Sequence, residues 1–291
     1  MKILVTGASG LLGLNLALEA SAQHKVFGVV NQNPIRTDKF RVMNSNLLLP
    51  GALEQVFDFA KPDWVVNCAA MANVDACEQD PQMAQMLNTV LPEQIADMAQ
   101  RKDVPFVHIS TDAVFDGTRG NYVEQDAPNP LSVYAQTKLD GERRVAEMHP
   151  GAVIARVNFF GWSLSGQRSL AEFFFNNLVE GKQIKGFNDV MFSPLLVNDL
   201  AHILLKLLQL RATGLYHVVG SESLSKYDFG IRLANEFGLD QNLIESASVN
   251  AGGLLAKRSN NLTLKTDKLA KTLQFQPPNV DGGLMRLKAL Y

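Results

Sequence analysis

The chain has 291 residues, of which 27 are Lys or Arg and 29 are Asp or Glu, so its formal net charge is −2. Its composition of 46% hydrophobic and 19% charged residues is typical of a globular protein with a sizeable core, which excludes a disordered chain. The absence of a basic excess argues against a nucleic-acid-binding surface. Two cysteines, Cys68 and Cys77, are too few for a disulfide scaffold or a structural zinc site.

Short runs of β-branched and aromatic residues recur along the first half of the chain and predict β-strands. The predicted strands cover residues 3–5, 26–30, 64–67, 106–109 and 153–155. Segments of helical period separate most of them, at residues 11–21, 52–60, 81–101 and 131–148. This alternation predicts an α/β fold with a Rossmann-type doubly wound parallel sheet that is buried on both faces.

The first predicted strand leads directly into Thr6-Gly7-Ala8-Ser9-Gly10-Leu11-Leu12-Gly13 and then into a helix. At such a junction Gly7 supplies the tight turn, Gly10 lets the backbone approach a diphosphate, and Gly13 lets the helix pack on the strand. The free N–H groups and the positive end of the helix favour an anionic group. The order of strand, glycine turn and helix predicts a dinucleotide site, with an ordinary turn as the alternative.

The second predicted strand ends in Asn31-Gln32-Asn33, where an NAD-binding chain carries an acid for the ribose. Arg36, Lys39 and Arg41 follow, and a cation near this point can hold the 2′-phosphate of NADP. The alternative is a solvated basic loop. Because the acid is missing, we expect NADP(H) to be favoured over NAD(H).

Tyr134 and Lys138 are four residues apart in the predicted helix over 131–148, so they share one helix face. An adjacent ammonium stabilises a phenolate and lowers the pKa of the phenol towards the working range of an acid–base catalyst. The preceding strand ends in Ser110-Thr111-Asp112, at the sheet edge where an open α/β sheet binds its ligands. We expect Thr111 to share a substrate oxygen with Tyr134; a plain surface pair is the alternative.

Beyond about residue 160 the rhythm of strands and helices loosens. Residues 161–167 and 181–194 are rich in loop formers, whereas 197–210 reads as a helix and 214–219 as a strand. We therefore expect an NAD(P)-binding Rossmann core over residues 1–160, to which parts of 183–219 return. A smaller, irregular substrate-binding part follows over residues 161–291.

Five ordered segments carry a resemblance to a known family. They are TGASGLLG at 6–13, NCAAMANVDACEQDP at 67–81, ISTDAVFDG at 109–117, PLSVYAQTKLDGE at 130–142 and FSPLLVNDLA at 192–201. The chain resembles the extended short-chain dehydrogenase/reductases, and most closely their dTDP-4-dehydrorhamnose reductase branch. The resemblance spans essentially the whole chain and implies the same fold and superfamily.

The resemblance implies a catalytic triad of Thr111, Tyr134 and Lys138. Tyr134 would protonate a carbonyl oxygen as hydride arrives, Lys138 would bind the nicotinamide ribose and tune Tyr134, and Thr111 would position the carbonyl. Asn88 matches an asparagine that in relatives supports the active-site backbone or a proton-relay water, with a helix-interior hydrogen bond as the alternative. The expected cofactor-binding residues are Gly7, Ser9, Gly10, Leu11, Leu12, Gly13, Asn31, Arg36, Asn46, Leu47, Cys68, Ala69, Ala70, Tyr134 and Lys138. The expected substrate-binding residues are Asp112, Asn158, Phe159 and Arg258, and no metal is expected.

Several positions depart from the family pattern. Asn46 stands where relatives have Asp, Ala113 where many have Tyr, and Phe159 near the position of a Trp that stacks on the substrate. The last two changes lie in the part expected to face the sugar, so the fold and chemistry can be preserved while the sugar differs. Nucleotide-sugar 4,6-dehydratases carry Thr-Asp-Glu at residues 111–113, and Ala113 removes the Glu that serves them as base.

The leading functional hypothesis is an NADPH-dependent reductase of a nucleotide-activated 4-keto-6-deoxy sugar. One alternative is an NADP-binding regulatory subunit resembling that of methionine adenosyltransferase, and another is an NAD-dependent nucleotide-sugar 4-epimerase. An intact Thr111, Tyr134 and Lys138 favours an enzyme, because a binding role does not require an activated phenol.

The expected partner is a nucleotide-sugar substrate, without nucleic acid or membrane, and a homodimer is one option for the assembly. Arg258 lies in a basic segment that either closes on the substrate diphosphate or is solvated. The N-terminus lacks a secretory apolar region, and no apolar run approaches the roughly 18 residues of a membrane span. A cytoplasmic location is therefore expected.

Overall fold

The computed structural model describes residues 1–249 and 259–291. Its strands are β1 (Lys2–Thr6), β2 (Lys25–Val30), β3 (Arg41–Asn44), β4 (Trp64–Asn67), β5 (Phe106–Thr111), β6 (Val153–Val157), β7 (Phe159–Phe160), β8 (Ile184–Phe187), β9 (Met191–Phe192), β10 (Leu195–Leu196), β11 (Gly214–Val218), β12 (Leu224–Ser225) and β13 (Ile244–Ala247). Its α-helices are α1 (Leu11–Ser21), α2 (Ala52–Ala60), α3 (Val74–Gln79), α4 (Pro81–Gln85), α5 (Leu91–Arg101), α6 (Val133–Met148), α7 (Leu170–Val179), α8 (Val197–Gln209), α9 (Lys226–Phe237), α10 (Asp267–Leu273) and α11 (Val280–Ala289).

Within these residues, seven strands form one sheet in the order β11-β6-β5-β4-β1-β2-β3. Every neighbouring pair in this sheet is parallel, so the carboxyl ends of the strands share one edge. The strand order reverses its direction between β1 and β4, which is where such sheets open a crevice for ligands. The predicted α/β fold with a doubly wound parallel sheet is confirmed.

Two apolar layers cover the sheet. Leu16 of α1 and Leu200 of α8 belong to the cluster on one face, and Val56 of α2 and Ile95 of α5 to the cluster on the other. All four side chains are fully buried. Strands covered on both faces have no polar side to present, which explains their continuous apolar runs in the sequence.

The C-terminal part divides between the sheet and a separate small core. β11 pairs with β6, and α8 packs on α1, so residues 197–218 lie on the sheet. Phe160, Phe174 and Phe229 build a third apolar cluster with α7, α9 and α11. The domain boundary at residue 160 stays a prediction. No helix within 1–249 or 259–291 combines the length and apolarity needed to cross a membrane.

The segment expected to be one helix over 81–101 is interrupted by a π-helical turn, Met86–Val90. The Leu91 N–H bonds to the Met86 carbonyl five residues back. Pro92 has no N–H to offer to the carbonyl of Asn88, which favours a wider turn at this point. The interruption brings Asn88 against α6, where a Cβ at Gly141 would lie 2.2 Å from the Asn88 carbonyl oxygen.

Candidate active site

The glycine-rich turn closes tightly onto the loop after β4. Gly7 has a φ of +65°, and a Cβ there would lie 2.7 Å from the Ala69 backbone nitrogen. A Cβ at Gly13 would lie 2.2 Å from the Gly7 carbonyl oxygen. Gly10 precedes α1, and its carbonyl accepts the Leu14 N–H at 3.0 Å. Glycine at positions 7 and 13 lets the strand, the loop and the helix pack closely against one another. The first N–H groups of α1 remain open at the sheet edge.

A cavity of about 760 Å³ lies against this helix end, and we call it the inner cavity. Many of the predicted cofactor, catalytic and substrate residues line it. They are Gly10, Leu11, Leu12, Gly13, Cys68, Ala70, Thr111, Asp112, Tyr134, Lys138, Asn158 and Phe159. Side chains that follow β1, β4, β5 and β6 therefore meet around one space at the carboxyl edge of the sheet.

The residues predicted for the adenosine end of a cofactor are not among those that line the inner cavity. Asn31 and Arg36 are exposed in the segment after β2. Asn46 is exposed and its Oδ1 accepts the Leu48 N–H at 3.1 Å, while buried Leu47 lines a separate cavity of about 400 Å³. These four residues are therefore grouped near the ends of β2 and β3, apart from the catalytic residues.

Arg41 does not belong with the predicted phosphate-binding cations. It begins β3 and pairs in register with Phe27, three residues before the end of β2, with its guanidinium 5.9 Å from the Phe27 ring centre. This strand was missed in the sequence, because a four-residue edge strand with only partly buried side chains has a weak apolar signal. Gly7, Ser9 and Ala69 likewise are not among the residues that line the inner cavity.

Helix α6 presents Tyr134 and Lys138 to the inner cavity. The helix begins where the Ser132 hydroxyl accepts the Ala135 N–H at 3.2 Å as an N-cap. Both predicted catalytic side chains then lie on the same face, one turn apart. The Lys138 ammonium donates to the Ile109 carbonyl of β5 at 2.6 Å, which fixes the end of a buried cationic side chain.

Burial dominates the electrostatics of this pair. It raises the pKa of Tyr134 to about 12, with the negative charge of Asp112 adding to the rise and the hydrogen bond with Thr111 opposing it. It lowers the pKa of Lys138 to about 8, against the opposing charges of Glu142 and Cys68. Desolvation of the phenolate is the largest cause of the rise at Tyr134, and the lowering of its pKa by Lys138 stays a prediction. At neutral pH the phenol is protonated and available as a proton donor.

Asn88 clamps the loop that follows β4. Its Oδ1 accepts the Met71 N–H at 2.9 Å, and its Nδ2 donates to the Met71 carbonyl at 3.0 Å and to the Thr137 hydroxyl at 3.2 Å. Asn88 is fully buried. Of the two roles that the resemblance implies, this geometry matches support of the backbone. The clamp fixes residues 70–73, which carry Ala72 and Asn73 into the site.

A second cavity of about 410 Å³, the outer cavity, adjoins the inner one. Both cavities share Ala72, Asn73, Tyr134 and Asn158 as lining residues. Ala113 lines the outer cavity, whereas Phe159 lines the inner one and is not among the residues of the outer one. Phe159, predicted to face the sugar, thus lies beside the glycine turn because β7 brings it back over the sheet edge. Arg258 falls outside the described residues.

Buried Asp112 pairs with half-buried Asn158, which lines both cavities. The Asn158 Nδ2 donates to Asp112 Oδ2 at 2.6 Å, and the Thr111 hydroxyl donates to Asp112 Oδ1 at 3.2 Å. Burial nevertheless raises the pKa of Asp112 to about 6, although Asn158, Thr111 and Lys226 all oppose the rise. A carboxyl group that changes charge between pH 5 and 7 therefore lies beside the phenol of Tyr134.

We expect Asp112→Asn to flatten the pH dependence of stability. The pKa of Asp112 is about 6 in the folded state and 3.8 in the reference state, so the folded chain binds this proton more tightly. The free energy of unfolding therefore increases as the pH falls from 7 to 4 and decreases as the pH rises again. The amide of the Asn side chain does not titrate. On going from pH 5 to pH 8, the free energy of unfolding of the variant should therefore rise on the order of 1–3 kcal/mol relative to that of the wild type. Chemical unfolding at both pH values measures this. Asp58→Asn, an exposed control on α2, should follow the wild type, and a wild-type pH dependence in Asp112→Asn would contradict the assignment.

Two lining residues of the inner cavity, Gln167 and Arg168, were missed in the sequence. They lie in the segment after β7, and residues 161–167 were recognised only as loop-rich. No local sequence pattern indicates that this segment folds back towards α1, since the residues that meet there are about 150 positions apart in the chain. The side chain of Asn15 in α1 makes that connection by donating to the Trp162 carbonyl at 3.0 Å.

Comparison with known proteins agrees with this geometry. Residues 1–289 match the family of the RmlD substrate binding domain. The chain is 30% identical, over 100% of its length and 98% of the relative's, to the probable low-salt glycan biosynthesis reductase Agl14 of Haloferax volcanii. It is 31% identical to the methionine adenosyltransferase 2 subunit beta of Xenopus tropicalis, over 82% of this chain and 72% of that one.

A solved structure extends the likeness to three dimensions. The hypothetical dTDP-4-dehydrorhamnose reductase from Sulfolobus tokodaii superposes with a TM-score of 0.84 at 32% identity, covering 97% of this chain and 99% of that one. The family match, the relatives and the catalytic constellation at the sheet edge agree. The chain belongs to the RmlD substrate binding domain family, the dTDP-4-dehydrorhamnose reductase-like branch of NAD(P)-dependent oxidoreductases.

Proposed function

We propose that the protein is an NADPH-dependent reductase of a nucleotide-activated 4-keto-6-deoxy sugar. The observation that carries this proposal is the meeting of two cavities at one phenol: Tyr134 lines both the inner and the outer cavity. With a cofactor in the inner cavity and a sugar in the outer one, the sugar carbonyl would face the hydride on one side and the proton donor on the other.

The residues of the inner cavity fit a dinucleotide. The tight contacts at Gly7 and Gly13 leave no room for a Cβ, as expected of a turn whose backbone approaches a diphosphate. The open N–H groups at the start of α1 favour that diphosphate, and Lys138, which lines the same cavity, would bind the nicotinamide ribose. When bound, the reduced nicotinamide supplies the hydride.

The chain's own residues handle the proton. A phenol with a pKa near 12 stays protonated at neutral pH and donates to the carbonyl oxygen of a ketone as negative charge develops there. Thr111, hydrogen-bonded to the phenol, positions the same oxygen, and Lys138 supplies nearby positive charge.

The second candidate is an NADP-binding regulatory subunit, and it is favoured by the methionine adenosyltransferase 2 subunit beta relatives at about 30% identity. Against it, Thr111, Tyr134 and Lys138 all line the inner cavity, and Thr111 and Lys138 are buried. Simple cofactor binding gives no reason to place a buried ammonium and a phenol beside a second cavity.

The deciding experiment is a panel of nucleoside-diphosphate 4-keto-6-deoxy sugars assayed for NADPH and NADH oxidation. Stoichiometric consumption of NADPH with one of them supports the reductase. Interconversion of a sugar without net consumption of cofactor supports the 4-epimerase instead. Tight NADPH binding with no turnover on any member of the panel would favour the regulatory subunit.

We expect the purified chain to bind NADP(H) more tightly than NAD(H), and Arg36→Ala to reduce that preference by about tenfold, the worth of one charge-assisted contact to a 2′-phosphate. Arg36 is exposed in the segment after β2, and residues 31–33 at the end of that strand include no acid for the ribose. Calorimetric titration with both cofactors measures the ratio. Arg41→Ala is the matched control, because Arg41 lies over Phe27 and should leave the ratio unchanged. Equal affinities in the wild type would identify the basic segment as a solvated loop.

A further inference from the structure

A loop that contributes to the inner cavity is held in place by side chains of the helix that follows it. This loop, residues 161–169, joins β7 to α7 and is called here the arginine loop, because Arg168 stands near its end. Gln167 and Arg168 are its contributions to the inner cavity. Gly10–Gly13 at the start of α1 line the same cavity.

The arginine loop is braced from inside by Glu172, which is fully buried. The Glu172 carboxylate accepts the N–H groups of Ser163 at 2.5 Å, Arg168 at 2.7 Å and Ser169 at 2.9 Å, and also the Ser163 hydroxyl at 3.0 Å. Two more tethers close the loop: the Ser169 hydroxyl donates to the Gly161 carbonyl at 2.7 Å, and Asn176 Nδ2 donates to the Gly166 carbonyl at 2.7 Å. A buried carboxylate is stable only when its hydrogen bonds are satisfied, so this loop has a defined shape.

The loop is also fastened to the cofactor-binding helix. Asn15 Nδ2, one turn into α1, donates both to the Leu11 carbonyl at 2.8 Å and to the Trp162 carbonyl at 3.0 Å. The backbone of the arginine loop is therefore positioned relative to the glycine turn without any ligand. Within residues 1–249 and 259–291, no carboxylate forms a salt bridge with the exposed Arg168 guanidinium.

We propose that Arg168 binds the cofactor diphosphate together with the N-terminus of α1, with Glu172 as the residue that positions the loop. The inference rests on the proposed function, since it needs a dinucleotide in the inner cavity. Helix N–H groups and a guanidinium that line one cavity complement a dianion, and a guanidinium can donate two parallel hydrogen bonds to phosphate oxygens. Arg168 lines the inner cavity and is not among the residues of the outer one, which favours the cofactor over the sugar nucleotide as its ligand.

The test is titration of the wild type and of Arg168→Ala with three ligands by calorimetry. We expect the Kd of NADPH and of 2′-phospho-ADP-ribose to rise about 10- to 100-fold in the variant, because both contain the diphosphate. The Kd of 2′-AMP, which contains neither phosphate of the diphosphate, should change by less than about threefold, and Arg168→Lys should recover part of the loss. Arg143→Ala removes an exposed arginine of α6 outside both cavities and should match the wild type.

The positioning role of Glu172 is tested by a double-mutant cycle. Glu172→Gln should weaken NADPH binding several-fold when Arg168 is present and should add nothing in the Arg168→Ala background. If Glu172→Gln fails to fold, Asn176→Ala loosens the same loop through the Gly166 tether and takes its place in the cycle. Additive losses would overturn the positioning role.

The remaining outcomes separate this inference from the proposed function. Wild-type binding of NADPH with an unchanged Kd in Arg168→Ala overturns the inference alone. An equal loss for 2′-AMP also overturns it, since Arg168 would then hold the 2′-phosphate of the adenosine end. A wild type that binds no NADPH at all overturns the proposed function and the inference together.

Discussion

Tyr134→Phe should lower kcat for keto-sugar reduction by a factor of about 10² to 10⁴, the usual contribution of a positioned general acid. The change removes one hydroxyl from a side chain that lines both cavities and leaves its ring in place. Because burial keeps the wild-type phenol protonated, the variant loses the proton donor without changing the net charge of the site at neutral pH. Steady-state kinetics with NADPH and the best keto sugar measure the effect.

Two readouts separate a loss of chemistry from a loss of folding in Tyr134→Phe. The Kd of NADPH should stay within about threefold of the wild type, and the melting temperature should change little, because a phenylalanine fills nearly the same volume. Tyr227→Phe, a half-buried tyrosine of α9 that is not among the lining residues of either cavity, serves as control and should retain full activity. Unchanged turnover in Tyr134→Phe would contradict the mechanism.

Gly13→Ala should abolish measurable NADPH binding at micromolar protein and destabilise the fold. Its Cβ would lie 2.2 Å from the Gly7 carbonyl oxygen and 2.8 Å from the Gly7 carbonyl carbon, so α1 and the glycine turn must move apart. Forcing one extra carbon into such a contact costs about 1–3 kcal/mol, and the displaced turn no longer directs its N–H groups at the diphosphate. Calorimetry for NADPH and denaturant unfolding measure the two effects.

The matched control for Gly13→Ala is Gly151→Ala. A Cβ at Gly151 would meet only His149 ring atoms at 3.4 and 3.5 Å, which is near ordinary contact, and this turn lies before β6 on the far edge of the sheet. That variant should bind NADPH like the wild type and unfold within about 1 kcal/mol of it. Wild-type affinity in Gly13→Ala would show that the glycine turn does not hold the cofactor.

Some elements were predictable because their signals are local. The strands β1, β2, β4, β5 and β6 are continuous apolar runs, and such runs are what a strand covered on both faces requires. The glycine turn and the helical spacing of Tyr134 and Lys138 depend only on residues a few positions apart. The boundaries were less accurate: α6 begins at Val133, after the Ser132 cap, and β5 continues through Ser110 and Thr111.

Other features depend on contacts between distant parts of the chain. The edge strand β3 has no clear pattern of its own, since pairing with β2 produces it. The π-helical turn at Met86–Val90 has a local cause instead, the missing donor of Pro92. Phe159 lines the inner cavity and pairs through β7 with the distant Leu195, and its contact with the sugar stays a prediction.

The sequence by itself determined the α/β class, the glycine turn and the spacing of the catalytic side chains, because backbone periodicity and short-range geometry specify these. The tertiary structure alone decided how far the site is desolvated and which segments line it. The pKa of Tyr134 rises because folding removes the phenol from water. Arg168 lines the inner cavity because a buried carboxylate on α7 and an amide on α1 fix its loop. Desolvation and long-range hydrogen bonding exist only after the chain has folded, and no local pattern encodes them.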